Sequence, residues 1–354
     1  MPRGLARAIA WLALSACGPG QDPAVATASP QGTATAATST APPESAQGAA
    51  GVRGSEAAEA ATGSGAATVA PAAATETAPA GAVFRIVGFR TPRSVLHDPE
   101  ADVYLVSNVN GDPAGTDDDD NGFISRVSPD GKVLDLKWID GTDNDELQLS
   151  APMGMAISGP KLWVADRNQV HAFDLRTGRH RASYKIHEAT ALADVAILDG
   201  AVIVSDNGSE FGGSLFRIGP SRQPAPYLAP NRPGVGHPQG LYAPGDGSLW
   251  VTSEGELYRV AKRARTAGGA LPKGALDGIA GTPGGELFVA SHDGIIFRGA
   301  PRPGPDGALA VAWTELCAGL EAPADIGYDA KRHRLLIPLV LANAIEVRDL
   351  PPPP

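Results

Sequence analysis

Lys161-Leu-Trp-Val-Ala-Asp166 is an apolar phrase that the chain repeats. It returns as Tyr104-Leu-Val-Ser-Asn108, Val202-Ile-Val-Ser-Asp206, Leu249-Trp-Val-Thr-Ser253, Leu287-Phe-Val-Ala-Ser291 and Leu335-Leu-Ile-Pro338. Aligned on Val106, Val164, Val204, Val251, Val289 and Ile337, successive copies lie 58, 40, 47, 38 and 48 residues apart. Short strand-like phrases recurring at that interval indicate small sheets repeated around an axis.

Working outward, each phrase is the second strand of a unit. Before it lies a strand opening on a small or acidic residue and an aliphatic: Ser94-Val95, Gly154-Met155, Asp194-Val195, Gly240-Leu241, Gly278-Ile279 and Asp325-Ile326. Small residues suit strands crowded about an axis. Turns rich in Asp and Gly, such as Asp199-Gly200 and Gly284-Gly285, join the two, because these residues accept the dihedrals of tight connections. A third strand with one buried face follows, often ending in Arg, as in Leu215-Phe-Arg217 and Leu257-Tyr-Arg259. Six units predict an all-β, six-bladed β-propeller. A β-sandwich is the alternative, and the sixfold recurrence argues against it.

The N-terminus reads as an export signal over residues 1–16. Arg3 and Arg7 precede a short apolar run, Ala8 to Leu14, and then Leu14-Ser15-Ala16-Cys17. The last four resemble a bacterial lipobox, in which Cys17 carries the lipid and begins the mature chain. Two or more acyl chains on one cysteine give durable anchoring. Residues 17–81 then form a tether. Positions 18 to 81 hold no aromatic, Leu, Ile or Met, so they cannot bury enough apolar surface to offset the entropy of ordering. As a coil this stretch spans roughly 40–50 Å. The expected location is the bacterial cell envelope, anchored to a membrane on its periplasmic or surface side.

The folded part is expected over 82–350, with Pro351 to Pro354 as a tail. Val83-Phe-Arg-Ile-Val-Gly-Phe89 is a strand without partners in the first unit, and the sixth unit ends with only three strands. Pairing the two closes the ring and leaves no open edge. The net charge of −10 and the absence of a basic stripe disfavour nucleic acid as a partner. With Cys17 lipidated, Cys317 has no disulfide partner.

The residues just before each inner-strand Gly, Asp or Ser point toward one mouth of the channel: Arg93, Met153, Ala193, Gln239, Asp277 and Ala324. Arg93, Gln239 and Asp277, with Asp194 and Asp325 beside them, are the candidate ligand-binding residues. The expected ligand is a small molecule or a docking protein. His237 and His292 fall on loops of the same mouth, and with Asp277 they are the candidate catalytic groups. No His-x-His, His-Glu-x-x-His or Gly-x-Ser-x-Gly motif accompanies them. His171, His180, His187 and His333 are expected at the surface. Asp166 and Asp206 end second strands and are expected to cap turns.

The loop after the first phrase contains Asp117-Asp-Asp-Asp-Asn-Gly122, which opens like a calcium-binding loop but has Ser128 where the closing Glu would stand. Asp117, Asp119 and Asn121, with Asp143 and Asp145 from the next connection, form a candidate oxygen cage for Ca²⁺ or another divalent cation. The competing reading is a solvated acidic insertion. Crowded carboxylates need a positive neighbour in either case: salt, Arg93 or a cation.

Pro238-Gln-Gly-Leu241 and Leu276-Asp-Gly-Ile279 resemble the inner-strand motifs of the senescence-marker-protein/gluconolactonase family of six-bladed propellers, with a general likeness to NHL repeats. The resemblance implies a divalent cation in the mouth held by a Glu, an Asn and an Asp, polarising a lactone or ester for hydrolysis. In this sequence the Asp position is Asp277, the Asn position is Gln239 and the Glu position is Arg93. The substrate-binding Asn position of the third blade is Ala193, next to Asp194.

Overall fold

The computed structural model describes residues 75–76 and 84–351, except 144–146, 210–211, 229–235, 254, 272–273 and 304–308. Among the described residues, five four-stranded antiparallel meanders follow one another along the chain, and a sixth, five-stranded sheet combines the last three strands with two from the N-terminal side. Blade one comprises Pro92–Asp98, Val103–Asn108, Phe123–Val127 and Val133–Asp140. Blade two runs through Pro152–Ser158, Lys161–Asp166, Gln169–Asp174 and His180–Lys185. Blades three, four and five start with Leu192–Leu198, Pro238–Tyr242 and Leu276–Gly281. This is the six-bladed propeller, and a two-sheet sandwich is ruled out.

The last blade is completed by the start of the domain. Gly327–Asp329, Arg334–Leu339 and Ala344–Asp349 are followed in space by Phe84–Val87, which pairs antiparallel with the last strand in the register Ile86 to Ile345. Thr75–Glu76 adds a short fifth strand outside it. At the axis, blades six and one exchange main-chain bonds: Asp325 N–H donates to Arg93 O at 2.9 Å, and Val95 N–H to Asp325 O at 3.3 Å. The ring is therefore hydrogen-bonded shut at its inner and outer radius.

The repeated phrase is uninterrupted in apolar character because both faces of each second strand are covered. In blade two, Leu162 and Val164 pack toward Leu105 and Ile124 of blade one. Trp163 and Ala165 pack toward Val195 and Val204 of blade three. Trp163 and Trp250 are both buried core residues. The inner strands need glycine for a different reason. A Cβ on Gly154 would lie 2.6 Å from Asp194 Cα, and one on Gly240 would lie 2.5 Å from Asp277 O. Neither fits.

The polar residue inside the phrase ties neighbouring blades together. Ser107 Oγ accepts the Ser94 N–H at 3.0 Å and donates to Met153 O at 2.7 Å. Ser205 does the same between Asp194 N–H (2.9 Å) and Gln239 O (2.6 Å). Thr252 links Gly240 N–H (2.8 Å) to Asp277 O (2.5 Å). Each hydroxyl thus satisfies a buried main-chain group on two successive blades. Met153, Gln239 and Asp277 are all held by their carbonyls in this way, so the bridges also set where those mouth residues stand.

Asp166 and Asp206 cap turns. Asp166 accepts the N–H groups of Ser150 (3.1 Å) and Ala151 (2.7 Å). Asp206 accepts those of Thr190 (3.0 Å) and Ala191 (2.8 Å). His171 departs from expectation. It is fully buried in the third strand of blade two, paired across from Val164 and bonded to Asp166, rather than on the surface.

Candidate functional site

Two repeated devices build the mouth. In four blades the lead-in to the inner strand carries proline: Thr91-Pro92, Ala151-Pro152, His237-Pro238 and Ala322-Pro323. Proline fixes its own φ and restricts the residue before it. The carbonyl of the lead-in residue then accepts an N–H from the end of the second strand of the same blade or the residue just past it. The pairs are Val109 to Thr91 O (3.1 Å), Asn207 to Ala191 O (2.8 Å), His292 to Ala275 O (2.9 Å) and Val340 to Ala322 O (3.2 Å). In blade five this bond sets His292 beside the start of the inner strand, two residues from Asp277.

Blade one reaches the same end with strain. Thr91 adopts φ 48°, a left-handed conformation that costs a β-branched residue free energy. Its N–H donates to Asn343 Oδ1 at 2.7 Å and its hydroxyl to Gly111 O at 3.0 Å. Those bonds hold the turn that delivers Arg93 to the axis.

At the centre the guanidinium of Arg93 meets Asp277. Arg93 Nη2 is 3.1 Å from Asp277 Oδ2, and Arg93 Nη1 is 3.4 Å from His292 Nε2. His292 Nε2 also pairs with Asp277 Oδ2. The side chains of Arg93, Asp277 and His292 are 11%, 7% and 8% exposed, so the cluster is largely shielded from solvent. Burial alone would raise the Asp277 carboxyl, but Arg93 and then His292 outweigh it and hold it at about 2. The carboxylate stays ionised at any ordinary pH.

Two more aspartates stand at the inner-strand entries of blades three and six. Asp325 Oδ2 accepts the Ser94 hydroxyl at 2.5 Å. Burial pushes its carboxyl up to about 7, with the charge of Asp277 adding to the rise and Arg93 and the Ser94 bond opposing it. Asp194 has both oxygens engaged by main chain, Val195 N–H at 2.6 Å and Leu241 N–H at 2.7 Å. Burial and the charge of Asp325 still push Asp194 well above the ordinary carboxylate range. Asp194 is thereby a link between blades three and four. Gln239 is half-buried at the lead-in of blade four. His237 is tied away from Asp277: its N–H donates to Ser253 Oγ at 2.9 Å and its Nδ1 lies 2.7 Å from Asn207 O. The structure therefore brings Arg93, Asp277 and His292 into contact, with Asp325 close enough to feel the charges of Asp277 and Arg93.

The donor set does not fit a divalent cation in the mouth. A guanidinium stands at the first-blade ligand position, and the one carboxylate at a ligand position, Asp277, is engaged by two basic groups. Among the described residues no three His, Cys, Asp or Glu side chains converge as a metal set. The acidic loop folds on itself and on blade two. Asp117 Oδ2 accepts the Asp112 N–H at 2.8 Å, Asp119 pairs with Asn121, and Ser150 Oγ lies 2.8 Å from Asp120 Oδ1. The positive neighbour is Arg167, which donates to the carbonyls of Thr116 (2.5 Å) and Asp117 (2.6 Å) and stands 3.6 Å from Asp118. Nothing in the sequence singled out Arg167; its position just past Asp166, where blade five has His292, was the available signal. Asp143 ends a short 3₁₀ turn, Gly141–Asp143, and Asp145 lies outside the described residues, as does Cys17.

No family model matches the chain, and no curated protein matches it. Solved structures do. A gluconolactonase from Xanthomonas campestris is 18% identical, with TM-score 0.54 over 76% of this chain and 90% of that one. A luciferin-regenerating enzyme is 12% identical, with TM-score 0.53 over 75% and 93%. A streptogramin B lyase is 12% identical, with TM-score 0.50 over 73% and 94%. At these identities the likeness is one of architecture, and the chain is a six-bladed β-propeller similar in fold to these three enzymes.

Proposed function

We propose that this propeller is a binding module whose channel mouth takes a small polar ligand at Arg93, Asp277 and His292. The observation that carries the reading is the shielded Arg93–Asp277–His292 cluster. A buried guanidinium offers a directed fork of donors to a carboxylate, phosphate or carbonyl oxygen. The ionised Asp277 next to it accepts from a hydroxyl or ammonium of the same molecule. Isothermal titration with small hydroxy acids, amino acids and sugar phosphates tests this. Binding that is lost in Arg93→Ala and Asp277→Asn supports the proposal; binding unchanged in both variants defeats it.

Metal-dependent lactone or ester hydrolysis, which the family resemblance implies, is the second reading; it has one matching side chain, Asp277, in a donor set that otherwise does not fit the cation. His292 against Asp277 also supplies an imidazole that a carboxylate orients, the arrangement of a general base. Lactone turnover that requires Ca²⁺, Mn²⁺ or Zn²⁺ and vanishes in Asp277→Ala would select this reading over the binding module. A cation that instead binds through Asp117 and Asp119, and is lost in their alanine variants, would be a staple of the acidic loop.

We further propose that the domain resides in the bacterial envelope, tethered through a lipid on Cys17, as the N-terminal sequence Leu14-Ser15-Ala16-Cys17 suggests. Incorporation of labelled palmitate that disappears in Cys17→Ser tests the anchor.

A further inference from the structure

Blade two carries a polar chain that the mouth does not use. At the core position where blades three, four and five place Phe216, Tyr258 and Phe297, blade two places His171. Its ring and the Asp166 carboxylate are fully buried, and His171 Nε2 stands 3.2 Å from Asp166 Oδ2. The other ring nitrogen, Nδ1, is 2.9 Å from the hydroxyl of Ser183, an exposed residue of the outer strand directly across the ladder. A second histidine, His180, brings Nε2 to 3.0 Å of the same hydroxyl.

The hydrogen bonds order the protons. An ionised carboxylate only accepts, so His171 donates through Nε2 and its Nδ1 is left as an acceptor for the Ser183 O–H. Asp166 is itself fixed by two main-chain N–H groups. A nucleophile bonded to a base, and a base oriented by a third group, is the arrangement that activates serine. The turn cap does not call for it: Asp206 caps blade three in the same way, with Phe216 where blade two has His171.

We propose that Asp166, His171 and Ser183 form a second, hydrolytic site for acyl esters, with His180 positioning the serine. Ser183 Oγ bonds to the ester carbonyl carbon as its proton passes to His171 Nδ1. The tetrahedral adduct collapses, the carbon–alkoxy bond breaks, and the alcohol leaves with that proton. Water then attacks the acyl-serine by the same route, releasing the carboxylic acid and restoring the hydroxyl. Ser183 lies on the edge strand of its sheet, where alternate main-chain N–H groups face outward and can donate to the oxyanion. The turn before His180 lies against blade one, with a Cβ on Gly178 falling 3.1 Å from the Trp138 ring.

The test treats the full chain with a biotinylated alkyl fluorophosphonate and maps the modified peptide, alongside hydrolysis of 4-nitrophenyl acetate. The phosphonate is expected on Ser183, on the order of 100-fold faster than on the other serines, and to be absent in Ser183→Ala together with the esterase activity. His171→Gln should slow both by roughly 10²-fold or more. Because His171 is buried, His180→Ala serves as the second variant: it should keep the thermal transition and lower the labelling rate about tenfold, with the rate still rising with pH through a single deprotonation. No phosphonate on Ser183, labelling no faster than at other serines, or a rate unchanged in folded His171→Gln overturns the proposal.

Discussion

The guanidinium of Arg93 and the carboxylate of Asp277, 184 residues apart in sequence, lie 3.1 Å from each other across the channel mouth. They come from blades one and five, so the pair exists only when the ring is closed. Removing one partner of a shielded ion pair strands the other's charge, which costs about 3 kcal/mol or more. Asp277→Ala is therefore expected to lower the urea midpoint clearly, and Asp277→Ala with Arg93→Met to recover part of the loss. A double-mutant cycle measures it, and additive effects would show that the two do not interact.

Acid should act through the same carboxylate. Its folded-state value of about 2 lies below the ordinary 3.8, so its contribution is fully present above about pH 4 and is lost as pH falls toward 2. The size is on the order of 2 kcal/mol. Asp277→Asn should flatten this part of the stability curve, and unfolding followed between pH 5 and 2 checks it.

Asp325 acts in the opposite sense. Its value is raised to about 7, so the folded chain holds a proton that the unfolded chain has released, and stability declines as pH rises from about 4 to 7. Above pH 7 the cost stays constant. Asp325→Asn, which keeps an oxygen for the Ser94 hydroxyl, should remove the decline and leave the variant more stable than the parent at pH 8. A variant that loses stability equally at pH 5 and pH 8 would point to lost hydrogen bonding instead.

Thr252 joins packing to the site. Its hydroxyl satisfies Gly240 N–H and Asp277 O together, so Thr252→Val leaves both buried groups without that partner. The expected cost is about 2 kcal/mol. Ligand affinity at the mouth should fall with it, because the backbone of Asp277 is no longer pinned. At the matching position blade two has Ala165 and blade five Ala290, and there a change to Val should act only through packing.

Why some of this was legible and some was not follows from what repetition encodes. The phrase around Val164 recurs because every second strand is buried on both faces, and its spacing counts the blades. The same count puts Arg93 and Asp277 round one axis, which is why their proximity could be read. What pairs with what at the axis is another matter. Asp194 and Asp325 occupy equivalent positions, yet one bonds to main chain across a blade boundary and the other to Ser94. His171 looks like any polar residue in an outer strand until Asp166, five positions earlier, is seen to reach it. Hydrophobic pattern specifies which face is buried; it leaves open which polar atoms meet there.

Ring closure offers the last expectation. Ile86 is fully buried against the last blade although it lies in a strand contributed by the far end of the domain. Ile86→Ala should cost about 3 kcal/mol, whereas truncating Leu134, 49% exposed on the outer strand of blade one, should cost little. Deleting Phe84–Val87 has a larger consequence, because it bares the edge of Ala344–Asp349 and opens a template for pairing with other chains. Hydrogen exchange should then rise in Ala344–Asp349 and in the inner strands Pro92–Asp98 and Gly327–Asp329, with concentration-dependent aggregation. Protection unchanged at those strands would mean that the main-chain bonds at Asp325 close the ring without the outer strand.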